Sequence, residues 1–86
     1  MSKFEKLIGR VLSGSSDKNI VFADLCNLLE MLGFSNRIKG SHHIYYKEEI
    51  AEIINLQTSD NKAKPYQVKQ VRKLLIKYNL ITRKDE

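Results

Sequence analysis

The segment Lys39-Gly40-Ser41-His42-His43 gathers the side chains best suited to chemistry in this 86-residue chain. Histidine gains or loses a proton near neutral pH without special tuning, serine offers a hydroxyl, and lysine offers a cation to a phosphate. Glycine lets the backbone turn tightly or approach a ligand. At the start of a strand, successive side chains point to opposite faces, so His42 and His43 cannot serve the same surface. At most one of them belongs to an exposed site, and the other packs under or beside a covering layer. The competing reading makes the histidine a hydrogen-bonded packing residue. A second basic group, Lys62, Lys64 and Lys69, surrounds Pro65 at the expected start of a helix, whose free amides favour an anion. The competing reading there is a solubilising loop and helix face.

Other chemistries lack their residues. Cys26 is the one cysteine and cannot form an internal disulfide, and two histidines with one thiol do not make a zinc site. A chain this short leaves little room for a deep cavity, so a surface site without metal or cofactor is expected. Hydrophobic residues make up 42% and charged residues 29%, a globular balance. The longest apolar runs are a few residues, so no membrane span is expected. Met1-Ser2-Lys3-Phe4 runs into an amphipathic pattern without the apolar block of a signal peptide, so a cytoplasmic location follows. The net charge is +5, with an isoelectric point near 9.4. Residues 1–35 hold four bases and four acids, whereas residues 36–86 hold eleven bases and six acids. A basic half on a small domain suggests a polyanion, most often nucleic acid. A solvated lysine-rich surface is the alternative.

Hydrophobic spacing supplies the elements that must position these groups. Phe4, Leu7, Ile8, Val11 and Leu12 recur at helical spacing, and Gly14-Ser15-Ser16-Asp17 ends that helix. A second helix over 22–32 carries Leu25, Leu28, Leu29 and Leu32 inward, with Cys26 beside the stripe and Gly33 as its left-handed terminator. The period then changes to two. Strands are predicted over 34–39, 42–47 and 51–57, joined by Gly40-Ser41 and Glu48-Glu49 as hairpin turns. Residues 58–64 read as a polar loop. Pro65 opens a last helix with Val68, Val71, Leu75 and Tyr78 inward and Lys69, Arg72, Lys73 and Lys77 on its solvated side. The fold class is therefore α+β, ααβββα, with helices on one face of a three-stranded antiparallel sheet and the opposite face open.

The run Leu28-Leu29-Glu30-Met31-Leu32-Gly33-Phe34, a basic strand, and then Lys39-Gly40-Ser41-His42-His43-Ile44-Tyr45 resembles the HicA toxin family. Those proteins are small ribonucleases of toxin–antitoxin pairs whose fold is similar to the double-stranded RNA-binding domain. The resemblance covers roughly residues 22–80. It implies one domain over 1–86, with residues 1–20 an N-terminal helix extension and loop and residues 21–80 the HicA-like core. The helix of residues 3–12 is absent from the shortest family members, and the third strand lacks the proline–histidine ending common in the family.

The resemblance implies that His42, directly after Gly-Ser, is the catalytic histidine. RNA can be cleaved without metal because its 2′-hydroxyl is an internal nucleophile, leaving the enzyme to supply a proton acceptor or donor and cations. Arg37 and Lys39 share a strand face and are the nearest cations; with Gly40, Ser41, Lys62, Lys64 and Lys69 they are the candidate RNA contacts. Of Tyr45 and Tyr46, one belongs to the core and the other is available to a base or to an antitoxin.

Two functions follow. One is an endoribonuclease toxin, an mRNA interferase with His42 as general acid/base, acting without metal or small-molecule cofactor. Its partners are mRNA and a cognate antitoxin (HicB-like or another small protein) covering the sheet. The other is a non-catalytic RNA-binding module that uses the basic last helix and its preceding loop. A winged-helix DNA binder fits poorly, because its recognition helix precedes the hairpin whereas the basic helix here comes last.

Overall fold

The computed structural model describes residues 3–59 and 61–80. The start of the signal-peptide reading (Met1 and Ser2) and Asp60 of the polar loop lie outside them. The first apolar stripe forms helix α1 (Lys3–Ser13), which buries Leu7, Ile8 and Val11. Gly14 follows at φ +74, a region that favours glycine. A 3-10 turn, Asp17–Asn19, stands where only a helix stop was expected. Here Arg72, from the far end of the chain, reaches across: its Nη1 donates to the Val11 carbonyl at 2.9 Å, and its two amino groups grip the Asp17 carboxylate at 3.0 and 3.2 Å. The guanidinium thus satisfies a carbonyl in the last turn of α1 that has no partner within the helix.

Helix α2 (Phe22–Met31) buries Leu25, Cys26, Leu28 and Leu29. Gly33, at φ +96, closes it. The Gly33 amide donates to the Glu30 carbonyl and the Phe34 amide to the Leu29 carbonyl, both at 3.0 Å, the paired bonds of a Schellman cap. A Cβ on Gly33 would stand 2.9 Å from the Lys47 amine. Cys26 is buried in the core, and that burial pushes its thiol up from the ordinary range.

Strands β1 (Ser35–Lys39), β2 (His42–Lys47) and β3 (Ile50–Ser59) form the predicted antiparallel meander. The polar stretch after it departs from the sequence reading: Lys62–Ala63 is a short β4 on the far side of β3, giving the order β1-β2-β3-β4. A tight turn and two hydrogen bonds explain this. Asn61 adopts a positive φ of 68, which asparagine tolerates in tight turns. The Ala63 amide donates to the Ile20 carbonyl and the Phe22 amide to the Asn61 carbonyl, each at 2.9 Å, so β4 is held from both sides. Ala63 is small enough to be buried there. The domain is thus ααβββα with one further two-residue strand.

Helix α3 (Pro65–Lys77) buries Val68, Val71, Leu74 and Leu75, with Tyr78 packed at the core's edge. Buried Gln67 accepts the Lys64 amide through Oε1 at 3.4 Å. Its far end is tied to β3: the Lys77 amine and the Tyr78 hydroxyl both donate to the Glu52 carboxylate at 2.6 Å. These two bonds hold Glu52 down at about 2, and the bond to its carboxylate raises Lys77. All three helices contribute to one apolar cluster with Tyr45, Ile50, Ile54 and Leu56 of the sheet. Among the described residues, no helix covers the other sheet face.

Candidate functional site

The site begins at a two-residue turn. Lys39 and His42 are paired across Gly40-Ser41, and Gly40 has φ +61. Positive φ at the first central residue suits the right-handed twist of a hairpin. No atom lies within 4 Å of where a Gly40 Cβ would stand, so glycine is needed for the backbone conformation and not for a close approach.

Strand alternation then sorts the side chains of β2. Tyr45 is 1% exposed beneath the helices, while Tyr46 is 40% exposed. His43, on the side of Tyr45, is half-buried and meets the Phe22 ring edge-to-face with centroids 5.0 Å apart. His42 is exposed on the open face. The Tyr45 hydroxyl donates to Glu30 at 3.4 Å, and burial pushes it well above the ordinary tyrosine range. One strand is therefore packed firmly on one side and offers an imidazole on the other.

Register brings the cations alongside. Lys39 is the cross-strand partner of His42, and Arg37 that of Ile44. Paired residues share a face, so both bases lie on the His42 face, Lys39 opposite it and Arg37 diagonal to it on β1. On β3, Gln57 is paired with His42 and Asn55 with Ile44. Asn55 Oδ1 lies 3.2 Å from His42 Nδ1, a diagonal contact across the two strands. The face thus has a polar half formed by Arg37, Lys39, His42, Asn55 and Gln57. Its apolar half, nearer the Glu48-Glu49 turn, is formed by Ile44, Tyr46 and Ile53, the last 60% exposed. None of the described strand residues on this face is acidic.

The second basic group divides. Lys62 is paired with Ser59, two residues past Gln57 on β3, so β4 stands at the same sheet end as the Gly40-Ser41 turn. Its amine donates to Asn19 Oδ1 at 3.2 Å. Lys64 is half-buried as the N-cap of α3. Lys69 stands in the helix layer, where Tyr66, Lys69 and Lys73 border a shallow groove, away from His42. Sequence reasoning missed Asn55. The signal was present: Ile54 and Leu56 flank it, and in a strand with two inward aliphatics the residue between them must face outward.

The structure thus defines an α+β domain whose helices cover one side of an antiparallel sheet and whose other side, among the described strand residues, carries no acid and presents one histidine beside two cations. Comparison with known families adds the particular. A family model described as the HicA toxin of bacterial toxin-antitoxin matches residues 22–77, and the chain belongs to that family. Neither the curated proteins nor the solved structures gave a match. The match begins at α2, leaving α1 and the 3-10 turn as an N-terminal extension. No helix among the described residues is long and apolar enough to cross a membrane.

Proposed function

We propose that this chain is the toxin of a toxin–antitoxin pair and cleaves mRNA as a metal-independent endoribonuclease, with His42 as general acid/base. Membership of the HicA toxin family supports the class of activity. The observation that carries the residue assignment is the exposed His42 imidazole on a face whose described strand residues include no acid, with Lys39 opposite it and Arg37 diagonal to it on β1. In the proposed reaction, neutral His42 takes the proton of a 2′-hydroxyl as its oxygen attacks the adjacent phosphorus. The bond to the 5′-oxygen breaks, and that oxygen takes a proton from the imidazolium. The products are a 2′,3′-cyclic phosphate and a 5′-hydroxyl end. Lys39 and Arg37 stabilise the charge that develops on the phosphorane. Gly40 and Ser41 shape the turn beside the scissile phosphate, Lys62 and Lys64 hold RNA further along, and Lys69 contacts it from the helix layer. The site is assigned no cofactor. Its substrate places the activity in the cytoplasm.

The cognate antitoxin, HicB-like or another small protein, holds the toxin inactive by covering this face. The apolar half around Ile44, Tyr46 and Ile53 supports that seat, because exposed apolar patches mark interaction surfaces. The deciding experiment incubates single-stranded RNA with the wild type and with His42→Ala in EDTA, measuring both cleavage and binding. Cleavage by the wild type alone, with binding retained in the variant and cyclic-phosphate ends on the products, is expected. Binding by both proteins without cleavage by either would leave an RNA-binding module in place of the enzyme.

A further inference from the structure

We infer that Asn55 is a positioning residue for His42, setting which ring nitrogen carries the proton and so which one is free to act as base. This deepens the nuclease reading and rests on it for its kinetic consequence, but not for its geometry. Asn55 Oδ1 lies 3.2 Å from His42 Nδ1. A carbonyl oxygen only accepts, so the neutral imidazole must carry its single proton on Nδ1 to make this bond. The lone pair then remains on Nε2, the nitrogen for which the described residues provide no partner. In water a neutral imidazole prefers the opposite tautomer, so a bond from Asn55 converts a disfavoured base into the prevailing one.

Asn55 is well placed to hold that geometry. Its neighbours Ile54 and Leu56 are fully buried, which anchors the β3 backbone and leaves the Asn55 side chain no other face. The direct partner of His42 on β3 is Gln57, yet the bond runs to the diagonal Asn55. A neutral amide orients the ring without supplying a charge, unlike a carboxylate, which would favour the charged imidazolium. The charged groups sharing this face are cations: Lys39 and Arg37 from β1 and Lys62 from β4.

The test is a ¹⁵N spectrum of the histidine side chains above their titration, with His42 assigned by difference from His42→Ala. The wild type and Gln57→Ala are expected to show the Nδ1–H tautomer at His42, and Asn55→Ala the Nε2–H tautomer. Asn55→Ala is expected to lower kcat roughly five- to tenfold, the worth of one net hydrogen bond, with little change in KM. Asn55→Asp, which keeps an acceptor, is expected to retain the Nδ1–H tautomer and move the acid limb of the pH–rate profile to higher pH. The assignment is overturned if Asn55→Ala keeps the Nδ1–H tautomer, or if Gln57→Ala is the variant that loses it. The spectrum requires no RNA. It therefore judges Asn55 even where neither the wild type nor His42→Ala cleaves RNA, the result that rejects the nuclease reading instead.

Discussion

His42 and His43 are consecutive, as are Tyr45 and Tyr46, yet the two members of each pair live in different environments. On the covered side of the sheet, Tyr45 sits in the core with its hydroxyl on Glu30, and His43 packs edge-to-face on Phe22. On the open side, His42 and Tyr46 are exposed, among cations and apolar side chains. The covered side spends its side chains on stability, and a change there is felt by the whole fold. The open side contributes little to the core, so it is free to carry chemistry. That separation would let an 86-residue chain carry the proposed catalytic imidazole without weakening an already thin core.

Substitutions can break or sharpen this contrast, and the largest effect belongs to Tyr45. Tyr45→Ala removes a fully buried ring and is expected to cost about 3–5 kcal/mol. That is a large part of the roughly 5–15 kcal/mol that holds a small domain folded. Urea unfolding would show it, and a loss below about 1 kcal/mol would deny that Tyr45 is a core residue.

Arg72→Ala comes next. It abandons Asp17, whose side chain is 12% exposed, and uncaps the Val11 carbonyl. A loss of about 1.5–3 kcal/mol is expected, with amide exchange accelerated first in α1. Even exchange across all helices would mean that Arg72 does not tether the extension specifically.

His43→Ala should cost about 1–2 kcal/mol through the lost contact with Phe22 and leave the chemical groups of the open face intact. A stability unchanged from wild type would place His43 outside the packing.

The Glu52 cluster provides a pH test. Because its folded-state pKa is lowered to about 2 from the ordinary 4.5, its contribution is present above the ordinary value and is lost as pH falls from about 4.5 towards 2. Glu52→Gln should flatten the melting-temperature profile in that window and leave it unchanged in shape near neutrality. The cluster is partly exposed, so high salt should reduce the effect. A variant whose acid profile overlays the wild type would remove Glu52 from the account.

Smallest of all is His42→Ala. Its stability should stay within about 0.5 kcal/mol of wild type, although cleavage disappears. Denaturation curves measured beside the RNA assay separate these two outcomes; a strongly destabilised His42→Ala would erase the contrast between the faces.

Local periodicity determined much of this protein. The helical stripes, the glycine stop at Gly33 and the change to a period of two follow from side-chain spacing and backbone freedom, which neighbouring residues decide among themselves. The same alternation required that His42 oppose His43 and that Tyr45 oppose Tyr46. It could not say which face would be covered. That depended on the helices docking over Tyr45, Ile54 and Leu56, a choice made by apolar surfaces far apart in the chain. Three other features were likewise decided only by tertiary structure. The contact between His42 and Asn55 depends on β2–β3 register, with its irregularity between Tyr45 and Lys47. The strand at Lys62–Ala63 forms because Ile20 and β3 supply bonding partners on either side. Arg72, which the helical pattern assigns to a solvated face, is instead drawn to Asp17 and the end of α1. Spacing along a chain records only what its near neighbours permit; register and docking arise where distant segments compete for the same polar and apolar partners.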